Sequence, residues 1–309
     1  MSALRALAPA KINLGLALGP LRPGDERHEI VTVMQSISLA DELTLAPGPD
    51  ADGADEVVCA GVPGPPAENL AAVALRGFRD ATGWDERPVR LSIIKRIPVA
   101  AGLGGGSADA AATLRLLACA SGRGDEALLR ELARGLGADV PAQVAPGRWL
   151  ATGAGERLER LPDPDPPLEL VLLPLPHALD TRDVYAEADR QRLARPPQAL
   201  AERVRDMREA FARGAPAPGR GGLLDNDLQA AANSLCPPIA AALELAGAHG
   251  ARAAFVSGSG PTVVALFASS AAGERADRAA VALADRRPAP IRAHSVGEAF
   301  ARPRAAGPA

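Results

Sequence analysis

With 309 residues, 47% of them hydrophobic, the chain has material for one large or two ordinary domains with an ample core. A formal net charge of −3 offers nothing to a nucleic-acid backbone or an anionic membrane surface, so neither is an expected partner. No apolar run reaches the length of a membrane span, and Lys11 and Asn13 interrupt the start of the chain before a signal-peptide core can form. Residues 8–18 alternate in their second half and are predicted as a strand holding Lys11, Asn13 and Gly15 on one face. A polar turn at 21–29 carries Arg27 and His28, and one or two strands follow over 30–45. The stretch 47–66 is rich in proline, glycine and aspartate, a loop around a short Val57-Val58-Cys59 strand. Residues 69–82 are predicted helical, with Gly83 as the stop.

Residues 89–97 are apolar and β-branched, a strand stopped by Pro98, and residues 110–120 are helix formers without a breaker. Between them stand Gly102, Gly104, Gly105 and Gly106, with Ser107 where the helix is expected to begin. Glycines let backbone N–H groups approach a ligand, and a helix N-terminus adds unsatisfied donors and about half a positive charge. Strand, glycine loop and helix in this order predict an anion cradle, for phosphate. The loop is not a P-loop, because Gly106 is followed by Ser107 and Ala108 with no lysine. Nor is it the dinucleotide fingerprint, because Ser107 stands where the third glycine belongs.

Further on, a short helix at 125–134 closes on Gly135 and Gly137, an element starts at Asp139, and a strand and turn are expected over 148–155. Leu161-Pro-Asp-Pro-Asp-Pro-Pro is the clearest linker and divides the chain into an N-terminal domain, 1–160, and a C-terminal domain, 168–301. The second part opens with a buried strand at 168–175, followed by helices at 183–193 and 198–213 and a loop at 215–222. Residues 225–246 are predicted mostly helical despite Pro237-Pro238, 253–267 strand, glycine turn and strand, 271–285 helix, and 302–309 a frayed tail. Strands and helices in separate blocks predict an α+β architecture in two halves.

Composition adds two sharper signals. Of 34 basic residues only Lys11 and Lys95 are lysines. In a chain that uses arginine for generic positive charge, a surviving lysine marks a place that needs a compact ammonium. Tyr185 is likewise the only tyrosine. Cys59, Cys119 and Cys236 are far apart, odd in number and without metal spacing, which favours a reducing, cytoplasmic setting and argues against zinc.

Three blocks resemble the GHMP kinases, in the order that family shows them: Pro9-Ala-Lys-Ile-Asn-Leu, the loop from Pro98 to Ala108, and Ser257-Gly-Ser-Gly-Pro-Thr. The triple glycine, Arg22-Pro with His28, Val33-Met-Gln-Ser-Ile-Ser-Leu, Leu136-Gly-Ala-Asp-Val-Pro and Asn226-Asp-Leu narrow the resemblance. They are similar to a branch that phosphorylates the 2-hydroxyl of a cytidyl diphosphate ester of methylerythritol, on a route to isoprenoid precursors. The resemblance implies a two-domain GHMP kinase fold, with an N-terminal domain of the ribosomal protein S5 domain 2 type and a ferredoxin-like C-terminal domain. It implies ATP and Mg²⁺ as cofactors, a small-molecule substrate and no protein partner. Alternatives are another small-molecule GHMP kinase, of the homoserine, sugar or mevalonate type, or a non-catalytic nucleotide-binding homologue.

Site residues follow from the same resemblance. ATP is expected on Pro98, Val99, Ala100, Ala101, Gly102, Leu103, Gly104, Gly105, Gly106, Ser107 and Ala108, with adenine near Asn69, which also reads as a helix N-cap. Lys11 and Asp139 take the catalytic roles. A carboxylate accepts or polarises the hydroxyl proton, and an ammonium keeps it ionised and stabilises the moving phosphoryl group. From local sequence alone, Lys11 is equally a solvated strand charge and Asp139 an N-cap. Asn13 is expected to orient the substrate or the catalytic pair, and His28 to read the cytosine edge by ring or backbone. Tyr185 and Arg27 are expected on the cytosine faces. The alternatives are a strand-edge amide, a surface histidine and a helix tyrosine packed in its own domain. The sequence identifies no ligands for the metal. Departures from the family pattern are Arg27 in place of an aromatic before His28, Ala142-Gln143 in place of an aromatic pair, and a loop ending Ser107-Ala108. The first two are expected to touch the substrate pocket.

Overall fold

The computed structural model describes residues 2–49, 53–62, 64–213, 222–268 and 271–307. Its longest feature is an antiparallel pair, β1 (Leu4–Leu21) and β2 (His28–Pro47). The apolar stretch after the first turn is therefore one strand of 20 residues, not two. Register shifts interrupt the pairing between Pro9 and Lys11, between Asn13 and Leu16, and between Leu18 and Leu21. Such irregularities bend a strand and re-aim its side chains, and the first falls at Lys11.

β3 (Glu56–Cys59) runs parallel to β4 (Val89–Ile94), with α1 (Leu70–Thr82) between them in sequence. α2 (Gly105–Ser121), α3 (Glu126–Arg134) and α4 (Val140–Val144) lead into the hairpin β5 (Arg148–Thr152) and β6 (Arg157–Leu161). β7 (Glu169–Leu173) opens the second sheet, followed by α5 (Thr181–Arg190), α6 (Pro197–Ala212), α7 (Gln229–Leu235) and α8 (Pro238–Ala248). β8 (Ala253–Val256), β9 (Val263–Phe267), α9 (Ala272–Ala282), β10 (Ile291–His294) and β11 (Arg304–Ala305) complete the described elements. One sheet has the order β11-β1-β2-β4-β3, with β5 also on β2 and β6 on β5; the other is antiparallel in the order β10-β7-β9-β8. This is the mixed α+β content expected.

α2 sits at the centre. Residues Ala108, Asp109, Ala110, Ala111, Ala112, Thr113 and Leu114 are all buried, as are Leu116 and Leu117. Alanine on several faces lets β1, α1 and α4 approach closely, while each buried leucine contributes about 1.5–3 kcal/mol over exposure. The largest apolar cluster passes from this helix to Leu170, Phe211 and Phe255 in the second half of the chain, so the halves share a core.

Three expectations are corrected. α2 begins at Gly105, with left-handed Gly104 at its cap, so Ser107 lies inside the first turn. The helix predicted over 225–246 is two helices, because Pro238 can only start one. The tail does not simply fray: Arg304 and Ala305 pair with Arg5 and Leu4. The loop expected at 215–222 lies, Gly222 apart, outside the described residues. Among the described residues no helix is long and apolar enough to cross a membrane.

Candidate active site

The glycine loop is tied down before it reaches the helix. Asp41 accepts the backbone N–H groups of Arg96 (2.5 Å) and Ile97 (2.8 Å) at the end of β4, and the Lys11 N–H donates to the Leu103 carbonyl (3.0 Å). Gly102 (φ +75°) and Gly104 (φ +68°) take left-handed conformations that bring the chain around to α2. No side chain caps α2. Its first-turn N–H groups therefore stay available at the wall of a cavity of about 940 Å³, which residues from Ile97 to Ser107 line. Ala108 is buried behind the loop and does not line the cavity.

Both lysines rest against this loop. A Cβ added to Gly104 would lie 3.0 Å from Lys11 Cγ, and one added to Gly105 would lie 3.3 Å from Lys95 Nζ and 3.1 Å from Ile97 Cγ2. The Lys11 ammonium donates to Asn13 Oδ1 (2.8 Å) and pairs with Asp139 Oδ2 (3.3 Å). Asn13 is oriented in turn, since its Nδ2 donates to Thr32 Oγ1 (2.9 Å), which donates to the Gly15 carbonyl (2.7 Å). Asp139 stands at the N-cap position of α4 but is helical (φ −84°, ψ −21°) and makes no capping hydrogen bond. The capping alternative for Asp139 is thereby overturned. Lys11 is buried, not a solvated strand charge.

A second glycine turn closes on the same spot. Ser257 Oγ donates to the Gly102 carbonyl (3.0 Å), and Asn226 Nδ2 donates to the carbonyls of Val256 (2.9 Å) and Gly258 (2.7 Å). Gly258 has φ +56°, and a Cβ there would lie 3.2 Å from Asn13 Oδ1 and 3.5 Å from Lys11 Nζ. Thr181 and Ser259 share a hydroxyl hydrogen bond (3.0 Å) at the cavity wall.

The residues expected at the nucleobase separate. Tyr185 lines the cavity, and burial pushes its hydroxyl up to about 12, with the charge of Asp139 adding. His28 is buried at the start of β2, 5.6 Å from the Tyr185 ring centre to centre. It is not a surface histidine. Its Nδ1 is hydrogen-bonded to the Gly19 carbonyl (2.8 Å) and its Nε2 to Asp189 (3.2 Å), so the ring is engaged and does not line the cavity. Arg27 is held away, exposed in the turn with its guanidinium on Asp25 (2.8 Å). Gln143 is buried under β1, donating to the Pro9 carbonyl (3.1 Å) and accepting from Ser36 (3.3 Å). Neither departure from the family aromatics touches the cavity. Asn69 is both cap and wall: its Oδ1 accepts the Ala71 N–H (2.9 Å), and it lines the cavity.

Sequence reasoning missed Asp41 and Asp109, which share the Lys95 ammonium at 2.5 and 2.6 Å. The rarity of lysine was the one signal pointing there. It also missed Arg182, in the first turn of α5 at the cavity. Among the described residues no group of three histidines, cysteines or carboxylates is placed to hold a metal ion.

The GHMP kinases N terminal domain model matches residues 69–147, and the GHMP kinases C terminal model matches residues 202–285. A protein of Anaeromyxobacter sp. (strain Fw109-5) named 4-diphosphocytidyl-2-C-methyl-D-erythritol kinase is 43% identical over 282 residues, 89% of this chain and 86% of the relative. A protein of the same name from Kineococcus radiotolerans is 39% identical over 283 residues, 89% and 85%. A crystal structure of 4-(cytidine 5'-diphospho)-2C-methyl-D-erythritol kinase superposes with a TM-score of 0.73 at 34% identity, covering 95% of this chain and 99% of that one. Homoserine kinase from Cytophaga hutchinsonii reaches the same TM-score at 17% identity, covering 98% and 97%, and shows the fold alone. With both family models matching in chain order and a relative 43% identical along 89% of its length, the chain belongs to the GHMP kinase family.

Proposed function

We propose that this ATP-dependent small-molecule kinase phosphorylates the 2-hydroxyl of 4-diphosphocytidyl-2-C-methyl-D-erythritol, in the cytoplasm, as a step toward isoprenoid precursors. The observation that carries the reading is the Asp139 carboxylate, free of any capping duty and 3.3 Å from an ammonium that Asn13 holds in place. Phosphoryl transfer asks for positioning and charge stabilisation more than covalent chemistry. Asp139 accepts the hydroxyl proton. The oxygen then attacks the γ-phosphorus as the bond to the β–γ bridging oxygen breaks, ADP leaves, and the proton passes from Asp139 to water. Lys11, paired with Asp139, stabilises charge on the transferring group.

The glycine loop and the N-terminus of α2 hold the ATP phosphates, with adenine beside Asn69. Mg²⁺, which neutralises phosphate charge, would arrive on the ATP phosphates with its water, since the described residues build no ligand cluster for it. Tyr185 covers one cytosine face, and His28 buttresses that ring from behind. Arg182 pairs with the substrate diphosphate. It is a cation at a helix N-terminus, where the dipole disfavours it, and a polyanion offsets that cost. In this reading residues 1–160 supply the ATP site and 168–301 close over the substrate.

The test is ADP release with ATP and a panel of alcohols. The cytidyl diphosphate ester should be consumed and homoserine, sugars and mevalonate left untouched. Turnover of one of those in its place would assign the chain to another kinase of the family, and no turnover of any would leave a nucleotide-binding homologue.

A further inference from the structure

The second lysine belongs to a charge cluster separate from the Lys11–Asp139 pair, at the wall of the same cavity. Lys95 Nζ lies 2.5 Å from Asp41 Oδ2 and 2.6 Å from Asp109 Oδ2, and both carboxylates are buried, at 0% and 2% exposure. The other oxygen of Asp41 accepts the N–H groups of Arg96 and Ile97, where the chain leaves β4 for the glycine loop. Asp109 stands in the second turn of α2, just after the loop ends. Lys95 therefore bridges the entrance of the loop to its exit. Gly105 leaves the room, since a Cβ there would sit 3.3 Å from the ammonium.

The charges do not balance. Two carboxylates face one ammonium, and Asp109 Oδ1 is buried without a hydrogen-bond partner. The Cys59 thiol on β3, pushed up by burial and then by Asp109, faces the same cluster, and beside that thiol is the neutral Asn69 amide at the start of α1. Neither supplies the missing positive charge. An anion arriving at the first turn of α2 adds negative charge within one turn of this surplus carboxylate.

We propose that Asp41, Lys95 and Asp109 form a positioning clamp that holds the two ends of the glycine loop at the span the ATP phosphates require, and that the clamp takes up a proton at Asp109 when they bind. Burial pushes the Asp109 carboxyl up to about 7 against the pull of Lys95, so the proton is exchanged near neutral pH. The carboxylate binds it as the phosphates approach and releases it as they leave. ATP affinity consequently falls as pH rises above 7. The proposal rests on the reading that the phosphates occupy the glycine loop.

Calorimetric titration of the full chain with a non-hydrolysable ATP analogue and Mg²⁺, at pH 8 in two buffers of different ionisation enthalpy, measures the proton count directly. Wild type should take up a fraction of a proton more than Asp109→Asn, which should bind at pH 8 as tightly as wild type binds at pH 6. Equal proton counts in the two proteins would overturn the proton uptake. Lys95→Met should raise KM for ATP about tenfold, from the lost charge-assisted bonds, with kcat within about twofold. A lower melting temperature with unchanged KM would make the cluster structural only. Gly106→Glu tests the underlying reading separately, because its Cβ meets only an ordinary contact, 3.7 Å from Leu70 Cδ1. Unchanged analogue binding in that variant would place the phosphates elsewhere.

Discussion

Lys11 is gripped at three points: its alkyl chain lies on Gly104, its ammonium donates to Asn13, and Asp139 faces it. An arginine at that position is longer and planar, and Gly104 leaves it no room to retreat. Lys11→Arg should therefore lose at least about 10²-fold in kcat although the charge is kept. Asp139→Asn should lower kcat by about 10²–10⁴-fold. It should leave both affinity for an ATP analogue and melting temperature near wild type, because no capping bond is lost. Single-turnover kinetics and calorimetry separate these outcomes, and wild-type turnover in Asp139→Asn would overturn its catalytic role. Tyr185 is the aromatic that remains at the cavity after Arg27 is taken up by Asp25. Tyr185→Ala should weaken the cytidyl substrate by about 1–3 kcal/mol, read in its KM, and leave the KM for ATP alone.

The loop and α2 act as one element, and their glycines are not equivalent. A Cβ at Gly104 would be both left-handed and pressed on Lys11, so Gly104→Ala should cost about 1 kcal/mol or more and reduce kcat by shifting the ammonium. At Gly106 the nearest atom is 3.7 Å away, so Gly106→Ala should keep the wild-type melting temperature. A simple phosphate-clearance view treats the loop glycines alike; the packing of two lysines distinguishes them. α2 also carries a pH signature of its own. Asp109 is raised by burial to about 7 from an ordinary carboxylate value near 4, so the folded state binds a proton there that the unfolded chain has released. Its contribution to stability is complete below pH 4 and is lost as pH rises through 7. Denaturant melts should show wild type gaining on Asp109→Asn as pH falls from 8 to 5; parallel curves would put the proton elsewhere.

At the scale of the molecule the active site is a joint. β1 of the first part supplies Lys11 and Asn13, and the turn at 257–262 supplies Gly258 against them. At Gly102 the two parts touch closely: a Cβ there would overlap the Ser257 carbonyl and come within 2.8 Å of the Gly260 carbonyl. Gly102→Ala should push the parts apart, lowering melting temperature and kcat together. Asn226→Ala leaves the Val256 and Gly258 carbonyls without their amide donor. It should cost about 1–3 kcal/mol of stability and raise KM for the acceptor more than for ATP. Substrate-dependent protection in hydrogen exchange at 255–260 would follow the same joint.

Much of this was legible in the residues themselves, for a local reason. Gly102 to Gly106 between a strand and a helix, Pro9-Ala-Lys-Ile-Asn with its two-residue spacing, and Asp139 ahead of Val140-Pro141 are short-range patterns whose geometry follows from chain stereochemistry. The α+β content follows likewise from local periodicity. Which charges meet is different, because pairing across dozens of residues depends on how sheets and helices pack. Asp41 and Asp109 are 68 residues apart and become partners of Lys95 only when α2 lies against β2 and β4 pairs with β2. Tertiary packing also turned His28 into a buried support of Tyr185, fixed Arg27 on Asp25, and put Gln143 under β1 away from the pocket. The chain alone determined a glycine-rich turn between a strand and a helix; that Lys11 meets Asp139 was expected only from the family resemblance and was decided by packing. Packing decided which neighbours hold them, since burial sets the strength of every charge at the site.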